Sequence, residues 1–330
     1  MIENGVNIAE TRLIASLREA KTMKIFITGG TGNIGQYVVL SMINAGHDVL
    51  TLSRDPDKYP SLSQKAKLVT GDINDHWLMT EYVKGCDAVI HIALGWGDEP
   101  MSMLINDTAA TVHLLEAAEK AGVKKFIYTS STAAMGRMRQ TMEESMANLP
   151  TDLYGSTKAA SEAYVLGFRK YCGDRGREVS MTRNVIRPGY TYSTPPYPDG
   201  STQPDARFRD IAEAVVNSKP VVLTKHDGTQ FISAEEIAQL YLKLAESDKN
   251  EEVYLALADN FTSWEEIAKI ALEYYPSSKS EIVLNDLGWS EKPMLFDVSR
   301  IRKDFGLSLG SRDKLVEHIK WNVDRAKGVY

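Results

Sequence analysis

Tyr154 and Lys158 stand four residues apart in YGSTK, a spacing that on a helix puts a phenol and an ammonium on one face. A tyrosine ordinarily titrates near pH ~10 and is a poor base at neutrality. An adjacent ammonium favours the phenolate and draws that value down, so the pair suits proton exchange with a substrate hydroxyl or carbonyl. The spacing by itself is common. Tyr275 and Lys279 repeat it, but Pro276 follows at once and no glycine-rich turn lies nearby. Tyr154 instead follows a strand-like run that ends Tyr128-Thr129-Ser130-Ser131. A hydroxyl at such a strand end can hydrogen-bond a reacting oxygen and support the charge developing on it. Ser131 is the best candidate, with Ser130 and Thr132 as alternatives.

A second constellation is Thr28-Gly29-Gly30-Thr31-Gly32-Asn33-Ile34-Gly35, placed directly between a strand-like run and a helical one. Gly29, Gly32 and Gly35 recur at intervals of three. Glycines in that setting permit a tight turn, and they let the backbone approach a pyrophosphate whose charge is met by helix N-terminal amides. Asn33 and Ile34 lie inside this cradle. The next strand closes in Leu52-Ser53-Arg54 with no carboxylate for the adenosine ribose hydroxyls. Arg54 can pair with a 2′-phosphate instead, which favours NADP over NAD. Asp72, in Gly71-Asp72-Ile73, is placed to meet the adenine edge.

The elements that must carry these residues alternate. Strands are expected at Lys24–Thr28, His47–Leu52, Ala66–Thr70, Ala88–Ile92, Lys125–Thr129 and Glu178–Ile186. Helices are expected at Gln36–Ala45, Met103–Ala121, Leu153–Tyr171, Phe208–Asn217, Ala234–Glu246, Ser263–Tyr274 and Arg312–Arg325. Strand–helix alternation implies an α/β fold, a Rossmann-type doubly wound parallel sheet with a smaller C-terminal α/β substrate-binding region. The division expected is 1–22 as an N-terminal extension, 23–188 as the NAD(P)-binding domain and 189–330 as mainly substrate-binding, with 228–247 packing back on the first domain. Ligands bind at the carboxyl ends of such strands. Tyr190–Pro204, rich in proline, reads as an irregular loop or a lid.

The 330 residues carry a net charge of −6 and no basic run, which argues against nucleic acid. No apolar stretch is long enough to span a bilayer. Two cysteines are too few for a disulfide framework, and Cys86 reads as a core residue. Residues 1–22 form a candidate helix without the apolar segment of a secretory leader. These features lead to the expectation of a cytoplasmic protein with a small-molecule substrate, no metal, no nucleic acid and no membrane partner.

In order along the chain, TGGTGNIG (28–35), GDI (71–73), HIA (91–93), LLEAAEKAGVKKFIYTSS (114–131), YGSTK (154–158) and RPG (187–189) resemble the extended short-chain dehydrogenase/reductase family, the epimerase/dehydratase-like group. The resemblance runs from Met23 to about Trp321. It implies Ser131, Tyr154 and Lys158 as a catalytic triad, with Lys158 also holding the nicotinamide ribose. It further implies Ile73 at the adenine, Ala93 and Pro188 beside the nicotinamide, and a homodimer formed through the helices at 103–121 and 153–171.

Departures from the family bear on substrate. Members acting on nucleotide sugars often carry an arginine just before the segment matched by FISAEEIA (231–238), where this chain has Asp227-Gly228-Thr229-Gln230. The asparagine usual near the start of the fourth helix is Asp107, and the tyrosine after the serine motif is Met135. Thr132-Ala133-Ala134 lacks the acidic pair of sugar dehydratases, which argues against dehydration. Trp96, Arg137, Asn184, Arg187 and Tyr190 are the substrate-contact candidates, with an arginine suited to a substrate carboxylate. His91 reads as a packing residue. The activity implied is hydride transfer between nicotinamide and a sugar-like or other small alcohol or ketone. A sugar epimerase and a non-catalytic NADP-sensing protein are the alternatives.

Overall fold

The computed structural model describes residues 22–168, 179–203 and 205–330. Seven short apolar runs pair into one parallel sheet. These are β1 (Lys24–Thr28), β2 (Asp48–Ser53), β3 (Lys67–Thr70), β4 (Ala88–His91), β5 (Lys125–Thr129), β6 (Thr182–Pro188) and β7 (Val253–Ala256). The spatial order is β7-β6-β5-β4-β1-β2-β3, and every neighbouring pair is parallel. This is the Rossmann-type sheet that the alternation implies. Its order reverses between β1 and β4, so a crevice opens at their carboxyl ends.

Both faces of the sheet are buried because successive side chains of a strand point to opposite sides. Ile25, Ile27, Ile90, Ile127 and Ile186 meet α1 (Gly35–Asn44) on one face. Phe26, Val89, Phe126, Tyr128 and Val185 meet α2 (His76–Tyr82), α3 (Ala110–Lys120) and α4 (Leu153–Gly167) on the other.

Two differences from the expected elements matter. β7 was invisible to alternation, since VYLA is a four-residue run that becomes a strand only by pairing with β6. The helix expected at 103–121 begins at Pro100 and opens into a π-helical turn over Leu104–Ala109 before α3. Such turns frequently sit at functional sites. Residues 1–21, Cys172 and the last part of the helix expected to reach Tyr171 lie outside the described residues.

Beyond β6, α5 (Arg207–Val216), α7 (Trp264–Tyr274) and α8 (Arg312–Ala326) enclose a separate core around Phe208, Trp264, Leu315 and Ile319. α6 (Ala234–Glu246) lies instead against α1 and the first sheet face through Ile237, Leu240, Tyr241 and Leu244. Among the described residues no helix is long and apolar enough to cross a membrane, and no group of three or more candidate metal ligands occurs.

The second core also buries His318 among Tyr192, Phe208 and Trp321, with Asn322 Nδ2 3.1 Å from its Nε2. Burial holds its pKa down to about 3. Unfolded histidine takes up a proton near pH ~6.5, whereas the folded ring stays neutral. Stability contributed here is therefore intact above that pH and drains as pH falls toward the folded value. The expected slope is about 1.4 kcal/mol per pH unit. Urea unfolding followed by circular dichroism between pH 6 and 4 should flatten by about that slope in His318→Gln.

Candidate active site

The turn between β1 and α1 is shaped by what its glycines exclude. Gly29 has φ +74°, and a Cβ on it would lie 2.6 Å from the Ala93 nitrogen. A Cβ on Gly35 would lie 1.9 Å from the Gly29 carbonyl oxygen. Both positions therefore need glycine. The first turn of α1 has no side-chain cap and no acidic residue, which leaves its amides to meet an anion.

Two cavities meet over this turn and share Gly29, Gly32, Ala93 and Leu94. The larger, about 460 Å³, also takes in Asn33, Ile34, Gly35, Ser131, Tyr154, Lys158, Pro188 and Tyr190. The second, about 350 Å³, is lined by Arg54, Asp72, Ile73 and Trp96 among others. The residues proposed from sequence for the triad and the cradle thus surround one continuous cleft at the carboxyl ends of β1, β2, β4, β5 and β6. Arg54 is exposed and makes no ion pair among the described residues, while Asp55 pairs with Lys58 at 3.0 Å.

Ser131 N-caps a short 3₁₀ turn through Ala133 N (3.1 Å) and hydrogen-bonds Tyr154. Asp152 caps α4 by accepting from Gly155 N at 2.6 Å, which fixes the helix start one residue before Tyr154. Lys158 is fully buried one turn on, with Nζ 3.4 Å from Asp107 Oδ1. Its ammonium lies 5.9 Å from the Tyr154 ring centre and 5.2 Å from that of Tyr128. The sequence expectation that the ammonium draws the phenol down is corrected here. Burial raises the Tyr154 pKa, the Ser131 hydrogen bond lowers it, and the Asp107 and Asp152 charges raise it further, for a net shift upward. His91, read as a packing residue, spans Thr28 Oγ1 (2.7 Å) and Thr111 Oγ1 (2.9 Å), and burial holds its pKa down to about 3.

A profile of the NAD dependent epimerase/dehydratase family matches residues 25–256. The chain belongs to that family. Over 149 residues it is 29% identical to a UDP-glucose 4-epimerase of Lacticaseibacillus casei, a match covering 42% of this chain and 45% of that one. Over 159 residues it is 33% identical to a 3 beta-hydroxysteroid dehydrogenase/Delta 5→4-isomerase of Mycobacterium tuberculosis, covering 43% and 42%. The matched region spans less than half the length of these curated relatives. The fold resembles that of a UDP-glucuronic acid 4-epimerase from Bacillus cereus solved with NAD, with a TM-score of 0.77 and 20% identity over 93% of this chain and 100% of that chain.

In this member of the epimerase/dehydratase family the proline-rich segment after β6 is docked on the cradle. Ser193 donates to Asn33 Oδ1, Tyr37 to the Thr194 carbonyl, and Ser201 Oγ to the Thr31 carbonyl at 2.6 Å. Gln36 clasps Ser201 from both sides, Nε2 to its carbonyl at 2.7 Å and Oε1 from its amide at 3.0 Å. Asp199 accepts from Ser61 N at 3.0 Å. The segment then runs into Gln203 and Asp205, which line the larger cavity and carry no sequence signal beyond polarity.

Three of the five substrate candidates are not brought to the cleft. Asn184 sits near the start of β6 and stitches it to the approach of β7, donating to the Lys249 carbonyl and accepting from Glu252 N. Arg137 is exposed on the loop after β5. Arg187 is buried and makes a bidentate pair with Glu162 (2.7 and 2.9 Å) and a bond to Asn148 (2.9 Å). Trp96 and Tyr190 do line the cleft; Trp96 lies 6.5 Å from Tyr154 ring to ring, and Tyr190 packs on Phe231 and Trp264. Arg187→Ala leaves Glu162 buried and unpaired, and such a break costs about 3–5 kcal/mol. Thermal and urea unfolding should register that loss, and an apolar pair at 187 and 162 should restore most of it. A substrate-binding arginine would instead leave stability unchanged.

Proposed function

We propose that the chain is an NAD(P)-dependent oxidoreductase acting between nicotinamide and a sugar-like or other small alcohol or ketone, with NADP favoured over NAD. The observation that carries this reading is that Ser131, Tyr154 and Lys158 line the same cavity as the glycine cradle. A bound nicotinamide dinucleotide supplies the hydride chemistry, and a turn that excludes Cβ atoms at Gly29 and Gly35 fits its pyrophosphate. Arg54, beside Ser53 and Asp72 and without an ion pair among the described residues, suits a 2′-phosphate. Asp72 and Ile73 would face the adenine, and Ala93 and Pro188 the nicotinamide. Tyr154 moves the proton, Ser131 hydrogen-bonds the reacting oxygen, and Lys158 anchors the ribose and faces the phenol.

The cations near the larger cavity support an uncharged substrate over a nucleotide diphosphate. Lys158 is paired with Asp107, and Arg207 with Asp205 (3.1 Å) while its guanidinium lies over Trp264 (4.6 Å). A sugar epimerase uses the same residues but keeps its cofactor, and the docked segment over the cradle favours retention. Net change at 340 nm with substrate supports net oxidation or reduction, whereas isomerised product without such change supports epimerisation. Exposed Met101, Leu104, Ile105 and Tyr164 on the outer side of the 100–120 stretch and α4 support a homodimer. The scarcity of cysteine supports a reducing, cytoplasmic setting.

The test is a fluorescence titration with NADPH and NADH, followed by a screen of free sugars, sugar acids, nucleotide sugars and hydroxysteroids. Arg54→Ala should weaken NADPH by about 10-fold or more and leave NADH within about 2-fold. Equal effects on both would remove the NADP preference. Tyr154→Phe should lower turnover by about 10²–10⁴ with cofactor affinity retained. Unchanged turnover would defeat the enzymatic reading and leave the NADP-sensing one.

A further inference from the structure

In the reading above Lys158 faces the phenol, and the protein buries a carboxylate against that ammonium. Asp107 lies in the π-helical turn, where the backbone widens just before α3. Its Oδ1 is 3.4 Å from Lys158 Nζ and 3.4 Å from the Gly95 amide, and its Oδ2 is buried with no hydrogen-bond partner. The two side chains are 1% and 3% exposed, so water does not screen the pair. Asparagine, the residue usual here in the family that this chain resembles, would fill the same space without the charge.

We propose that the buried Asp107 carboxylate positions the Lys158 ammonium and balances its charge, so that Tyr154 serves as a proton donor and the site is built for carbonyl reduction. This rests on the oxidoreductase reading above. In that direction the carbonyl carbon accepts a hydride from the reduced nicotinamide and the oxygen accepts the Tyr154 proton. An alcohol and the oxidised cofactor result, and the phenolate regains its proton from water.

The other groups around Tyr154 and Lys158 do not supply the same balance. On α4 itself, Asp152 is committed to the helix N-terminus, and Glu162 is neutralised by Arg187 and held by Asn148. From β4, His91 is neutral. From β5, Tyr128 is buried and its pKa is pushed well up by burial and by Asp107. From α6, the Tyr241 hydroxyl is bound to Thr129 at 2.6 Å, and its pKa is raised by burial. Among the described residues, Asp107 is the carboxylate that has Lys158 as its cation. Its charge also raises the Tyr154 pKa directly, in the same sense as burial.

Asp107→Asn keeps the shape and removes the charge. The experiment that reads it without substrate is an ultraviolet difference titration of the phenols in the apo chain, with the Tyr154→Phe trace subtracted to isolate Tyr154. The Tyr154 midpoint should fall by at least one pH unit in Asp107→Asn, and a midpoint unchanged within 0.3 unit overturns the proposal. With any alcohol the chain oxidises, the rising limb of the pH–rate profile should move down by the same amount. If Asp107→Asn does not fold, Lys158→Met provides the second arm. It should lower the melting temperature in the Asp107 background, and Asp107→Asn/Lys158→Met should recover most of the loss. A double variant no more stable than Lys158→Met overturns the pairing. If no alcohol or ketone is turned over, the oxidoreductase reading fails while the phenol titration still decides the role of Asp107.

Discussion

The close approach of the Gly29 backbone to the start of the segment after β4 sets the geometry of everything at the top of the sheet. A side chain at Gly29 would push the turn away from Ala93, and one at Gly35 would push α1 away from the Gly29 carbonyl. Parallel pairing makes that approach possible. β1 lies between β2 and β4 with both neighbours running the same way, so three strand ends open on one edge and the α1 amides face into it. The rest of the site is hung from that edge. Ser131 follows β5, Pro188 closes β6, and the docked segment after β6 returns to clasp the turn itself.

α4 shows how a fold fixes a reactive side chain from below. Tyr154, Lys158 and Glu162 follow one another at steps of four and form a single stripe. Lys158 is held by Asp107 from the π-helical turn, and Glu162 by Arg187 from β6. Both pairs are buried, and a buried pair contributes little net stability but makes misplacement costly. A shift of α4 by one residue would strand four buried charges. The register that delivers the Tyr154 hydroxyl to the cavity is thus set by two buried ion pairs. The same arrangement removes Arg187 from the substrate candidates.

The residues that could be read in advance were those whose meaning depends on local spacing. The glycine cradle, the polar strand ends at Ser53-Arg54 and Ser130-Ser131, and the Tyr154–Lys158 step are each defined within one element and its flanking turn. The structure brings them to one cleft. The decoy fails on the same local terms, because Tyr275 terminates α7 and Lys279 lies beyond Pro276, off the helix. What escaped was set by contacts across the fold. VYLA is a strand because β6 offers an edge. Asn184 and Arg187 sit on the strand that leads to the site and look alike in sequence, yet one bridges to the loop before β7 and the other answers Glu162. Asp107 was visible as a substitution, but no periodicity says that an acid in a mostly apolar helical stretch faces an ammonium 51 positions away.

The segment from Tyr190 to Gln203 ties the two halves of the molecule together at the cradle. Its first residue packs in the aromatic core with Phe231 and Trp264, and Ser201 is bound to Thr31 and Gln36. This segment satisfies polar groups of the turn and of α1: the Thr31 carbonyl, the Asn33 side chain and the Gln36 amide. The turn is thereby tied by hydrogen bonds to the segment after β6. The turn and the second core are therefore coupled through one loop, held by hydrogen bonds to the turn and by Tyr190, Tyr192 and Tyr197 in the apolar cores.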